Sequence, residues 1–232
     1  MDKKFETVVL SVGGSIIVGN DIETQVTYLS DLRELIIDYL EQGKRFAIVC
    51  GGGSVCRKYQ KAAKAIDGSL DDPAIDELGI RVTRLNAYFM ATIFGDYASG
   101  DIIIDPTKKV ESDKPVLLAG GWKPGCSTDK DAVLLAKNLG SGRMINLTNV
   151  SHAYDKDPKQ YPDARPIEQM KWADFRKLLP NEWKPGLNAP FDPKAAEEAE
   201  KLGMEVAIMD GRNLKNLRAY LDGREFVGTR IY

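Results

Sequence analysis

The 232-residue sequence has a single histidine, His152, and only three cysteines, Cys50, Cys56 and Cys126. One histidine excludes a histidine metal cluster. An odd set of cysteines with no CxxC pair argues against both a disulfide scaffold and a structural zinc site. An excess of one charge is also lacking: 32 Lys and Arg stand against 34 Asp and Glu, a formal net charge of −2. Nucleic-acid-binding domains are usually basic, so this balance speaks against a general nucleic-acid partner. It leaves room for a small anion held by local geometry. No run reaches the roughly 18 apolar residues of a membrane span, and the N-terminal MDKKFETVVL has no apolar stretch of secretory-signal length. Together these absences make the cytoplasm the default location.

What remains is ordinary for a globular protein, at 43% hydrophobic and 28% charged residues. The length fits one large domain or two small ones, and a chain of this size buries roughly 70% of its unfolded surface without staples. Short apolar runs at 8–12, 46–50, 102–104, 116–119, 144–147 and 206–209 read as strands, with an edge strand at 226–231. Helical spacing covers 24–41, 54–66, 72 to about 97, 129–139 and 213–221. Asp72-Pro73 and Asp192-Pro193 each read as a helix cap followed by a first-turn proline. The stretch 148–166 is polar and rich in Asp, Pro and Lys, hence irregular. This alternation predicts an α/β fold, a three-layer αβα sandwich around a mostly parallel central sheet. The chain reads as a single domain over 1–232. Its one plausible internal boundary near Gly142 gives lobes of about 1–142 and 143–232.

In open α/β sheets ligands bind beyond the carboxyl ends of the strands. Three turns placed there are rich in small residues: Gly13-Gly14-Ser15, Gly51-Gly52-Gly53-Ser54, and the loop Gly120-Gly121-Trp122-Lys123-Pro124-Gly125-Cys126-Ser127-Thr128. Glycine lets backbone N–H groups converge on a phosphate, and a helix N-terminus directly afterwards adds free donors. Any one turn is equally a tight strand-to-helix connection; three together favour a ligand with several phosphates. No GxxxxGK[ST], no GxGxxG and no protein-kinase signature set occurs.

The charged residues near these turns each carry two readings. Arg57 sits early in a helix, where a cation opposes the helix dipole. It is either solvated or the partner of an anion in the turn. Asp129 either caps a helix or orders a magnesium ion or a lysine beside phosphates. Lys123 and Lys130 are surface lysines or charge neutralisers. His152 reads as a loop surface residue, and Cys126 has no thiol chemistry to assign.

The order of these segments resembles the amino-acid kinase superfamily, and within it the shorter, archaeal-type uridylate kinases. The matching stretches are 11–15, 51–59, 78–87, 120–129, 148–150 with 154–158, 191–193 and 226–229, nearly end to end. The resemblance implies transfer of the γ-phosphoryl group of MgATP to UMP, with Mg2+ entering alongside ATP. By the same resemblance Gly14, Ser15, Gly53, Arg57, Thr148, Tyr154 and Asp157 meet ATP. Gly52, Asp76 and the loop residues Gly121, Trp122, Lys123, Pro124, Gly125, Cys126, Ser127 and Thr128 meet UMP. Asp129, Lys123 and Arg57 are the expected catalytic residues. No metal-ligating side chains are assigned. ATP and UMP are the partners, with no nucleic acid and no membrane, in a homo-oligomer expected to be a hexamer built as a trimer of dimers.

Two positions depart from the family. Ser11 stands where many members carry a first-strand lysine, leaving Lys123, Lys130 and Arg57 as candidate cations. Ser151-His152-Ala153 replaces an Asp-Gly-Val. Another phosphate-acceptor kinase of the superfamily, such as an isopentenyl phosphate kinase, and a low-turnover nucleotide sensor or storage subunit are the alternatives.

Overall fold

The computed structural model describes residues 6–19, 21–158, 160–180 and 190–232. Residues 1–5 of the N-terminal segment and Lys159 of the irregular stretch lie outside these.

Strand β1 (Glu6–Val12) is the centre of the molecule. It is flanked by β2 (Lys44–Cys50) and β4 (Arg143–Thr148), both parallel to it. Beyond β2 lies β3 (Val116–Ala119), and beyond β4 lies β8 (Glu205–Asp210). The sheet continues through β9 (Thr229–Ile231), antiparallel to β8, to β7 (Gln169–Met170), giving the order β3-β2-β1-β4-β8-β9-β7. A small hairpin pairs β5 (Ala153–Tyr154) with β6 (Pro166–Ile167).

The central strands are apolar on both faces, the pattern expected of a parallel sheet covered by helices on both sides. Successive side chains take opposite faces, and two cores result. Val8, Leu10, Val12, Phe46 and Ile48 pack against α2 (Ile22–Glu41), α4 (Asp72–Phe94) and α8 (Leu214–Leu221). Val9, Ala47, Val49 and Met144 pack against α5 (Thr128–Asn138), α6 (Trp172–Leu178) and α7 (Pro193–Lys201). Helix α3 (Gly53–Ile66) has no buried residue and lies alongside α4 at the rim. This is the three-layer αβα sandwich that the alternation predicts. Among the described residues no helix is long and apolar enough to cross a membrane.

Several boundaries differ from expectation. The cap of α4 is Asp71, whose carboxylate accepts from the Ala74 N–H at 2.9 Å, so Asp72 is already helical. That helix stops at Phe94, where Gly95 at φ +53° turns the chain into a 3-10 turn, Gly95–Tyr97. Residues 102–104 form only an isolated bridge at Ile103, because Asp105-Pro106 ends the pairing after one residue. The 226–231 segment pairs over Thr229–Ile231 and is not an edge, since β7 covers its outer side. Helix α1 (Gly14–Ile17), α6 and β5 to β7 had no periodic signal, the helices being shorter than two turns and each strand only two residues.

Candidate active site

From β1 the sheet extends one way through β2 and β3 and the other way through β4 and β8. The crevice at β1 and β4 is therefore the topological switch point, where such sheets bind ligands. The two glycine turns meet there. The Gly13 N–H donates to the Leu147 carbonyl at 2.9 Å, and the Gly51 N–H to the Val12 carbonyl at 2.8 Å. Gly53 holds φ +67°, and a Cβ on it would lie 2.6 Å from the Ser15 nitrogen; a Cβ on Gly14 would strike the Gly51 carbonyl and the Gly53 amide. Backbone thus packs on backbone, and only glycine fits. The helices that start at these turns, α1 and α3, have no side-chain cap, whereas α2, α4, α5, α7 and α8 do. Their first N–H groups remain available to an anion.

A cavity opens beside α3. Gly52, Gly53, Cys56 and Arg57 form one wall, Asp76, Ile80 and Thr83 of α4 another, and Gly121 with Cys126, Ser127 and Thr128 a third. Asp129, Phe191 and Asp192 also line it. The 120–128 loop is tied to α4 at several points. The Gly121 N–H donates to Thr83 Oγ1 at 2.7 Å, and the Gly125 N–H to Asp76 Oδ2 at 2.6 Å. Arg84 donates to the Gly121 carbonyl at 3.0 Å and to the Trp122 carbonyl at 2.8 Å.

Acidic groups crowd this cavity. Ser11 Oγ donates to Asp129 Oδ1 at 3.1 Å, and the Asp192 N–H to Asp129 Oδ2 at 3.2 Å. Burial, and then the neighbouring Asp192 carboxylate, push Asp129 up to about 7. Burial also raises Asp192 and Asp76. Asp192 Oδ1 caps α7 through the Ala195 N–H at 2.7 Å, while its Oδ2 is buried without a partner. Arg57 is exposed at the cavity wall and has no hydrogen-bond or ion-pair partner among the described residues. A cavity lined by an unengaged cation and two crowded carboxyls suits a site that takes up an anion with a counter-cation. No metal cluster of three acid, cysteine or histidine side chains occurs among the described residues. Asp129 and Asp192 nonetheless offer hard oxygens, one of them orphaned, that fit Mg2+ arriving with a nucleotide.

A second cavity lies on the β4 side. Thr148, Asn149, Val150, His152, Tyr154 and residues 155–158 line it, with Phe175, Leu178, Pro180 and Pro190. Ser151 Oγ lies 3.1 Å from the Tyr154 hydroxyl and 3.0 Å from His152 Nδ1, and the two rings meet edge to face. Burial lowers the His152 pKa from the ordinary 6.5, favouring the neutral ring. His152 is thus a cavity residue and not the surface residue its loop position suggests.

The structure groups the expected residues unevenly. Gly52, Gly53, Asp76, Gly121, Cys126, Ser127, Thr128, Asp129 and Arg57 share the first cavity, and Thr148, Tyr154 and Asp157 the second. Arg57, expected beside ATP, is in the first. Lys123 lines neither and lies 3.8 Å over the Trp122 ring. Trp122 lines a separate hollow with Arg84 and residues 101–105. Pro124 and Gly125 are exposed at the loop tip. Gly14 forms the turn behind Gly53, and Ser15 borders an outer groove with Asp210 and Arg212. Sequence reasoning missed Thr83, Arg84 and Cys56 as cavity residues, and gave Asp192 a cap and a place in a family-matching stretch but no site role. Its double duty as cap and cavity wall leaves no separate trace in spacing.

The amino acid kinase family profile matches residues 6–210. A uridylate kinase of Methanospirillum hungatei is 33% identical over 230 residues, 97% of this chain and 94% of that protein. One of Sulfurisphaera tokodaii is 31% identical over 228 residues, 96% and 97% of the two chains. The crystal structure of uridylate kinase from Archaeoglobus fulgidus superposes with a TM-score of 0.80 at 27% identity, covering 97% of this chain and 99% of that one.

Proposed function

This chain belongs to the amino acid kinase family, and from that premise we propose that it is a uridylate kinase of the archaeal type, transferring the γ-phosphoryl group of MgATP to UMP to give UDP and ADP. The near full-length relatedness to uridylate kinases supports the reaction. The observation that carries the assignment of sites is the pair of cavities on the two sides of the β1–β4 switch point, joined by uncapped glycine turns.

On this reading UMP occupies the cavity walled by α3, α4 and the 120–128 loop, in an acceptor lobe of about 1–142. ATP occupies the cavity around Thr148, Tyr154 and Asp157, in a lobe of about 143–232. The acceptor phosphate is already a nucleophile: one of its oxygens bonds to the γ-phosphorus as the bond to the ADP bridging oxygen breaks. No general base is needed, so catalysis is positioning and charge neutralisation. The amides of the Gly14 and Gly53 turns are pre-aimed donors for the transferring group. Arg57 supplies a cation on the acceptor side, where the family's first-strand lysine is replaced by Ser11. Asp129, held by Ser11 and the Asp192 amide, orders the cations around the phosphates. Mg2+ on ATP would supply neutralisation of the nucleotide's charge, with Asp129 and Asp192 as the residues to hold it. A cytoplasmic homo-oligomer, a hexamer built as a trimer of dimers, completes the proposal; exposed Leu85, Tyr88 and Phe89 on α4 give a second copy an apolar face to cover.

The test is incubation with MgATP and UMP followed by nucleotide analysis. UDP and ADP in equal amounts is the expected result; ADP with inorganic phosphate and no UDP overturns the proposal.

A further inference from the structure

Asp131 is an acid where the fold does not call for one. It is 1% exposed, in the first turn of α5. The helix is already capped by Ser127, whose hydroxyl accepts from the Lys130 N–H at 3.2 Å. Favour with the helix dipole would be available to an exposed acid without desolvation. Its Oδ2 instead accepts from the Trp122 N–H at 3.0 Å, across the base of the 120–128 loop, and its Oδ1 is buried with no partner. A carboxyl kept at that cost needs a use for the bond it does make.

That bond sits at a particular place. The loop is fixed through Gly121 and Trp122 on one side and through the Gly125 amide on Asp76 on the other. Lys123 and Pro124 between them are exposed. The Trp122 amide is therefore the last anchored donor before the tip, and the residues after the tip, Cys126 to Thr128, wall the acceptor cavity. The Thr148–Asp157 cavity shares no residue with this loop.

We propose that Asp131 is a positioning residue for the acceptor: by holding the Trp122 amide it fixes the loop that encloses UMP, and so sets acceptor affinity without touching the acceptor. The cavity's assignment to UMP rests on the reading above; the latch itself does not. An asparagine of the same shape keeps a carbonyl oxygen that can accept from the Trp122 N–H.

The experiment compares Asp131→Ala and Asp131→Asn with the wild type. In the MgATP and UMP assay, Asp131→Ala raises KM for UMP about tenfold, the size of one lost hydrogen bond. KM for ATP stays within about twofold, and Asp131→Asn restores KM for UMP. Amide exchange of the 120–127 peptide, read without substrate, is about tenfold faster in Asp131→Ala and near wild type in Asp131→Asn. Parallel rises in both KM values, no gain from asparagine, or unchanged exchange in Asp131→Ala would each overturn the proposal. If the wild type fails to phosphorylate UMP, the functional reading falls, and the exchange measurement alone decides the latch. If the alanine variant does not fold, loop exchange and KM for UMP in Asp131→Asn must both match the wild type, and a departure in either overturns it.

Discussion

Replacing Asp129 by asparagine separates the cost of burying a carboxyl from its use. Asparagine keeps the shape: its carbonyl can accept from the Asp192 N–H, and its amide can donate to Ser11 Oγ, whose hydroxyl turns to accept. The folded protein raises this acid from 3.8 to about 7. The native state therefore binds the proton more tightly than the unfolded chain, and stability contributed here is lost as pH rises from about 4 to about 7. At roughly 1.4 kcal/mol per unit the shift would amount to about 4 kcal/mol. The solvent-open cavity screens this, and about 2 kcal/mol is a fair expectation. Asp129→Asn should then be as stable as the wild type at pH 4 and more stable at pH 8, measured by urea denaturation. Turnover should move the other way. Losing the group that orders the cations lowers kcat by about 10²–10³, while KM for UMP stays within about threefold because Asp76 and the loop are intact. A variant with wild-type kcat, or one whose loss lies wholly in KM for UMP, would refute the role given to Asp129. A variant less stable at pH 8 would refute the electrostatics.

Three other outcomes are expected. Arg57→Ala should raise KM for UMP about tenfold and KM for ATP much less, because Arg57 lines the acceptor cavity; the reverse split would move Arg57 to the ATP side. Gly53→Ala should cost about 3 kcal/mol or more, from the positive φ and the approach to Ser15, with an unchanged thermal midpoint as the contrary result. Cys56 and Cys126 both line the acceptor cavity, and burial raises both thiols above their ordinary 9.0. Iodoacetamide should react slowly at pH 7, faster above pH 9, and more slowly with UMP present; UMP-independent labelling would place UMP elsewhere.

The sheet was legible because its strands are continuous apolar runs, and 46–50 or 206–209 admit little else in an α/β alternation. The short elements were not: α1 is one turn, and β7 two residues that depend on β9 for pairing. The acceptor cavity was legible where one segment supplies several walls, as in 51–57 or 120–129. It was illegible where packing decides direction. Nothing in Trp122-Lys123 says that the lysine lies on the indole, or that Asp131 turns onto the Trp122 amide. His152 likewise reads as a surface residue until the β5–β6 hairpin draws it beside Tyr154.

The most direct test of the account is steady-state ADP release from MgATP with UMP, CMP, dUMP, AMP and isopentenyl phosphate as acceptors. The account predicts strong, selective turnover with UMP, in spite of Ser11 and of Ser151-His152. Turnover that prefers isopentenyl phosphate, or none with any acceptor in protein that still binds ATP, would contradict it.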